Sequence, residues 1–152
     1  MIEKLLRFLE IDEQQYKLAE VVWKVLAPSA DIVLDSFYHK VQQVGIEPLL
    51  TDDEVVRLKE RQKVHWERLF RSRFDEDYLA SVARIGLRHR GIGLDLGSYA
   101  AGYIGLKIEF GNVIVHSELP VVAKGLLVKT LDKFVAVDMA LAWSTYDAAL
   151  LD

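Results

Sequence analysis

Cysteine is absent from the 152 residues, which removes disulfides, thiolate zinc sites, iron–sulfur ligation, thiol nucleophiles and Cys-x-x-Cys-His attachment of a haem. Proline is scarce: Pro28, Pro48 and Pro120 leave long stretches in which helices can run uninterrupted. There is no basic excess. The 19 Lys and Arg against 23 Asp and Glu give a net charge of −4, and no face gathers the cations that would replace phosphate counterions, so a nucleic-acid partner is not expected. No uncharged apolar run approaches the roughly 18 residues of a membrane span. The amino terminus carries Glu3, Lys4 and Arg7 among its apolar residues and reads as a short amphipathic helix, not as a signal peptide. These absences leave a soluble α-helical chain, expected to form one domain over 1–152 and to reside in the cytoplasm.

What is present repeats every three or four residues. From about Asp12 to Leu26 the positions Leu18, Val22 and Leu26 share one side, with Val21 and Val25 beside them. Pro28 opens a second helix with Ala30, Leu34, Phe37, Tyr38 and Val41 inward, ending near Gly45. A loop through 46–50 follows. Thr51 and Glu54 form a capping-box signature ahead of a stripe at Val55, Leu58, Gln62, His65/Trp66 and Leu69. The next helix carries Tyr78, Val82, Ile85 and His89 on one face and is closed by Gly91 and Gly93. A further stripe runs through Leu96, Tyr99, Tyr103, Leu106, Phe110 and Val113, with Gly97, Ala101 and Gly105 as a small-residue second face. Pro120 starts a last helix with no breaker before Asp152 apart from Gly125; about 32 residues would span roughly 48 Å. Its apolar residues cover two sides, Leu127, Leu131 and Phe134 on one and Val128, Val135, Met139 and Ala142 on the other. That pattern is expected of a helix with two surfaces to bury, by internal packing or by self-association.

Familiar catalytic motifs are missing: no Gly-rich phosphate loop, no Gly-x-Ser-x-Gly elbow, no His-Glu-x-x-His. The acidic runs Asp52-Asp-Glu54 and Asp75-Glu-Asp77 sit where first turns favour carboxylates. His39 and His116 read as surface or cap residues, and His65, beside Trp66, as a packed core histidine in preference to a site residue. His89 differs, because an inward imidazole needs a partner for each ring nitrogen or a metal on one of them. One histidine cannot build a zinc site, yet one buried histidine can hold haem iron as its single protein ligand; on composition alone a satisfied core histidine is the better reading of His89. Tyr38 and Gln62 are two more inward polar groups, each costing about 1–3 kcal/mol if left unsatisfied. Together the three point to a pocket between helices with something polar inside.

The order and spacing of Asp35-Ser-Phe-Tyr38, Leu58 to Phe70 with His65-Trp-Glu-Arg-Leu-Phe70, Phe74-Asp-Glu-Asp-Tyr78, Arg84-Ile to His89 to Ile92-Gly-Leu94, and Tyr99 resemble the sensor globins. These are the haem domains of globin-coupled sensors, with protoglobins as close relatives, and the resemblance spans nearly the whole chain. It implies an all-α globin fold with an N-terminal pre-helix and two long last helices. It further implies non-covalent haem b with His89 as the iron ligand, Tyr38 as the distal tyrosine that hydrogen-bonds bound dioxygen, Leu58 as a distal apolar residue and Tyr99 as a proximal-side tyrosine. Phe37 and Ile85 would line the same cofactor site. Gln62 and Arg61 fall where some members place a second oxygen-bonding group or a sixth ligand; neither is a threonine or histidine here. The implied activity is reversible O₂ sensing (CO and NO also binding) in a homodimer built on the last two helices, with a signalling output domain beyond this domain and no enzymatic turnover of its own. Two alternatives stay open. One is a haem enzyme acting on nitric oxide or nitrite with an outside electron donor. The other is a haem-free helical dimerisation module, with His89 satisfied by a backbone carbonyl and Tyr38 by water.

Overall fold

Four helices begin with the same device. Asp12, Thr51, Asp75 and Asp95 hold extended backbone, and each side chain accepts the N–H of the third residue on, at 3.1, 3.2, 2.8 and 2.9 Å. The computed structural model describes residues 2–45 and 50–148. Its helices are α1 (Ile2–Phe8), α2 (Glu13–Leu26), α3 (Ala30–Val44), α4 (Asp52–Arg71), α5 (Glu76–Gly91), α6 (Leu96–Val115) and α7 (Val121–Ala148). Among the described residues there is no strand. The loop expected over 46–50 lies, apart from Leu50, outside the described residues, as does the continuation of the last helix over 149–152.

Pro28 does not open α3. It occupies a 3₁₀ turn, Ala27–Ser29, that joins α2 to α3 with the chain still in right-handed helical dihedrals. A tighter turn suits proline, which brings no N–H to be satisfied. Gly45 ends α3 at φ +72, the left-handed residue a helix terminator calls for. At the end of α5 the two glycines separate in role: Gly91 is the last helical residue, and Gly93 alone turns left-handed at φ +76. Between α4 and α5, Arg73 and Phe74 are both left-handed without being glycine. They are held by a forked Arg73–Glu13 pair at 2.7 and 2.9 Å and by Phe74 stacked on Phe134 at 5.1 Å.

The central element is α7, which packs on α5, α6 and α2 and also touches α1 and α4. Residues on both of its apolar sides are buried within the chain, Leu127, Leu131 and Phe134 on one and Val135 and Ala142 on the other, while Val128 and Met139 of the second side are half-buried. Among the described residues, the large exposed apolar side chains of α7 are Val121, Val122 and Leu126 at its start. Internal packing thus accounts for part of the two-sided pattern. Phe134 also stacks on Phe70 at 5.9 Å, and Trp66 lies 4.6 Å from Phe110, so aromatic rings from α4, α6 and α7 fill the centre. The backbones of α5 and α7 approach closely at Gly86. A Cβ at Gly86 would stand 2.4 Å from the Ala142 carbonyl oxygen, so glycine is what lets the helix bearing His89 seat directly on α7.

Candidate functional site

The helices α3, α4, α5 and α6 leave a cavity of about 740 Å³ between them, within the 300–1,000 Å³ range of small-molecule and cofactor sites. Phe37 and Tyr38 reach it from α3, Leu58, Arg61 and Gln62 from α4, Ile85 and His89 from α5, and Tyr99 from α6. All eight residues singled out in the sequence border this one space. Their exposures differ: Tyr38 and Tyr99 are buried, Phe37, Leu58, Gln62, Ile85 and His89 half-buried, and Arg61 exposed at the rim. The small-residue face of α6 is here too. Ala101 and Gly105 line the cavity, and a Cβ at Gly105 would meet nothing within 4 Å. Gly97, the third residue of that face, does not line it.

His89 projects one turn before the end of α5. Its Nδ1 lies 2.9 Å from the Ile85 carbonyl oxygen. A carbonyl only accepts, so Nδ1 carries the proton and the neutral ring keeps its lone pair on Nε2. Anchoring one nitrogen to fix the tautomer and orientation of the other is how ligating histidines are commonly held. The Tyr99 ring packs against the imidazole at 4.8 Å between centroids. The rest of the lining joins apolar residues, among them Val41, Leu50, Ile92, Leu94 and Leu106, to charged ones of both signs, with exposed Arg57, Arg61, Arg68, Arg84 and Arg88 alongside Glu54, Glu60 and Glu109. The charge at the rim was not anticipated from the sequence, because these arginines come from two different helices.

A second polar group stands behind the cavity. His65 is 3 % exposed, with both ring nitrogens engaged, Nε2 on Asp138 Oδ1 at 2.7 Å and Nδ1 on Ser81 Oγ at 3.1 Å. It is a packed core histidine stacked on Tyr78, although its ring also borders the cavity. Asp138 accepts two further donors, Tyr78 Oη at 2.5 Å and Tyr103 Oη at 2.8 Å. Burial and then the adjacent Asp138 carboxylate push both phenols well above the usual tyrosine value. Asp138 went unnoticed in the sequence. The signal was there: a lone carboxylate inside Val135-Ala-Val-Asp-Met-Ala-Leu-Ala142, facing stripes that already offered Tyr78, His65 and Tyr103 as donors.

Helices enclosing one cavity with a histidine on its wall are the arrangement a globin would present. The chain belongs to the protoglobin family, whose sequence profile matches residues 1–151. Its fold is similar to the globin domain of the Geobacter sulfurreducens globin-coupled sensor, with a TM-score of 0.79 at 12 % identity, covering 95 % of this chain and 96 % of that one. Comparison with curated proteins finds no match. Membership in a globin family implies haem, and the residues fit such a group: an imidazole whose Nδ1 is on a backbone carbonyl, a cavity of cofactor size with apolar walls, and arginines among its lining. Among the described residues no cluster of three or more metal-binding side chains offers a competing metal site. Nor is any described helix long and apolar enough to cross a membrane.

Proposed function

We propose that this chain is a haem-based gas sensor domain that binds O₂ reversibly at ferrous haem b. The observation that carries this reading is His89, its Nδ1 tied to Ile85 O and its ring on the wall of the same cavity as Tyr38. Haem supplies the chemistry of reversible diatomic binding. The chain supplies the rest. His89 would hold the iron through Nε2, and Ile85 O, on Nδ1, would keep that tautomer in place. Tyr38 is the hydrogen-bond donor for the bound gas, held by its Phe37 edge contact at 5.3 Å. Leu58 and Phe37 exclude water from the gas side, and Gln62 is a second polar group within the same wall. Arg57, Arg61, Arg84 and Arg88 are the cations available to the haem carboxylates.

Sensing requires that the gas favour one of two arrangements of the protein. We assign those arrangements to a homodimer formed through α6 and α7, with an output domain as the recipient. CO and NO are expected to bind at the same position. The test is the absorption spectrum of the reduced protein with and without O₂ and CO, followed by O₂ dissociation from Tyr38→Phe. Loss of one hydrogen bond to a polar ligand predicts dissociation faster by about tenfold or more. An unchanged rate would remove Tyr38 from the gas side, and a colourless protein that takes up no hemin would overturn the reading.

A further inference from the structure

Asp138 is 1 % exposed and lies on α7, a helix that contributes none of the described cavity-lining residues. A carboxylate in such a place is costly unless its oxygens are fully met by donors. It has three, and each comes from a different helix around the cavity: His65 from α4, Tyr78 from α5 and Tyr103 from α6. Two of them, His65 and Tyr103, are themselves part of the cavity wall. Tyr103 packs edge-on against Tyr99 at 5.3 Å, and Tyr99 packs against His89 at 4.8 Å. A packed apolar cluster would stabilise the same junction at least as well as a buried carboxylate does. What the carboxylate adds is direction, because each donor can satisfy it from one orientation only.

We propose that Asp138 is a positioning residue of the haem cavity. From α7 it fixes the orientation of His65 and Tyr103 in the cavity wall and, through Tyr103 and Tyr99, steadies the imidazole of His89. It also keeps Nε2 of His65 engaged, so that the cavity presents the lone pair of one histidine instead of two. This inference rests on the haem and gas reading given above.

The experiment uses the haem-loaded protein and compares O₂ dissociation in the wild type, Asp138→Asn, Tyr103→Phe and the double variant. Asparagine keeps the volume but offers one acceptor oxygen where two are needed. Each single variant is expected to change the rate by at least about twofold, the lower end for residues in one network, and the double variant is expected to depart from the product of the two. Thr130→Val is the control. Thr130 is a fully buried polar residue of α7 lying 2.9 Å from Leu126 O and 3.2 Å from Gln15 Oε1, away from the cavity lining. It should lower the thermal midpoint and leave the gas rate unchanged. Unaltered dissociation in both Asp138→Asn and Tyr103→Phe overturns the proposal, as does an equal change in Thr130→Val, which would mark the effect as general loss of stability. Should Asp138→Asn fail to fold, Tyr103→Phe carries the test alone. A wild type that binds no haem is a different failure, that of the sensor reading, and takes this proposal with it.

Discussion

Replacing Gly86 by alanine should destabilise the protein, although alanine is the better helix former. Propensity alone favours the substitution by about 1 kcal/mol in a helix interior. Against that, the new Cβ would stand 2.4 Å from the Ala142 carbonyl oxygen, 3.2 Å from its carbon and 3.1 Å from Thr145 Cβ. Two of these are backbone atoms of α7 and cannot rotate away, so α5 and α7 must part by about 1 Å to reach ordinary contact. A gap of that size forfeits a quarter to a half of the dispersion energy of each pair it opens, and α5 with α7 is the most extensive helix pair in the fold. Overpacking penalties of about 3 kcal/mol, less about 1 kcal/mol of propensity, leave a net loss of about 2 kcal/mol. Urea unfolding followed by helical circular dichroism measures it. With a slope of about 1–3 kcal/mol per molar, the midpoint should fall by roughly 0.7–2 M. Gly125→Ala on α7 is the matched opposite: nothing lies within 4 Å of its Cβ position, and it should gain about 0.5–1 kcal/mol. Equal or greater stability in Gly86→Ala would refute the close-approach account of the α5–α7 contact.

Two further outcomes follow from the same packing and electrostatics. Tyr78 and Tyr103 hold their protons above the usual tyrosine value in the folded state, so the unfolded chain gives up protons first as the solution turns alkaline. Their contribution is complete below pH about 10 and is lost as pH rises beyond it; denaturant unfolding at stepped pH should show stability falling there, with a shallower fall in Tyr78→Phe. Stability that held or rose across that interval would contradict the assignment. Phe110→Ala, at 1 % exposure against Trp66, should cost about 3–5 kcal/mol, whereas Ile108→Ala two residues away, at 55 % exposure, should stay within about 0.5 kcal/mol; equal losses would mean that the facing of α6 is misassigned.

The helices were legible because a three-to-four repeat runs through them and several carry their own start signal, and the structure has a helix over each of the seven stretches so read. Thr51 illustrates how local that information is: its hydroxyl caps Glu54 N–H as the spacing implied. Pro28 shows the limit, since proline equally suits the first turn of a helix and the 3₁₀ turn it occupies. The two apolar sides of α7 were visible in the pattern, but what covers them was not, because periodicity says which faces are buried and nothing about the partner. The same limit hid Asp138. A lone carboxylate among apolar residues states a need for donors, and only the three-dimensional arrangement brings His65, Tyr78 and Tyr103 to it from positions 73, 60 and 35 residues away in sequence. His89 was the easier case, since its Nδ1 partner, the Ile85 carbonyl, lies one helical turn back.

The central claim is that His89 supplies the axial nitrogen for haem. Two histidines border the cavity, and only His89 has a ring nitrogen left over once its hydrogen bond is made. Hemin titration of purified His89→Ala, read beside the wild type by absorption in the ferrous state with and without CO, tests this most directly. The account predicts that the substitution abolishes the histidine-ligated Soret band and its CO shift while helical content is retained. A His89→Ala protein with a wild-type Soret band and a wild-type CO difference spectrum would contradict it.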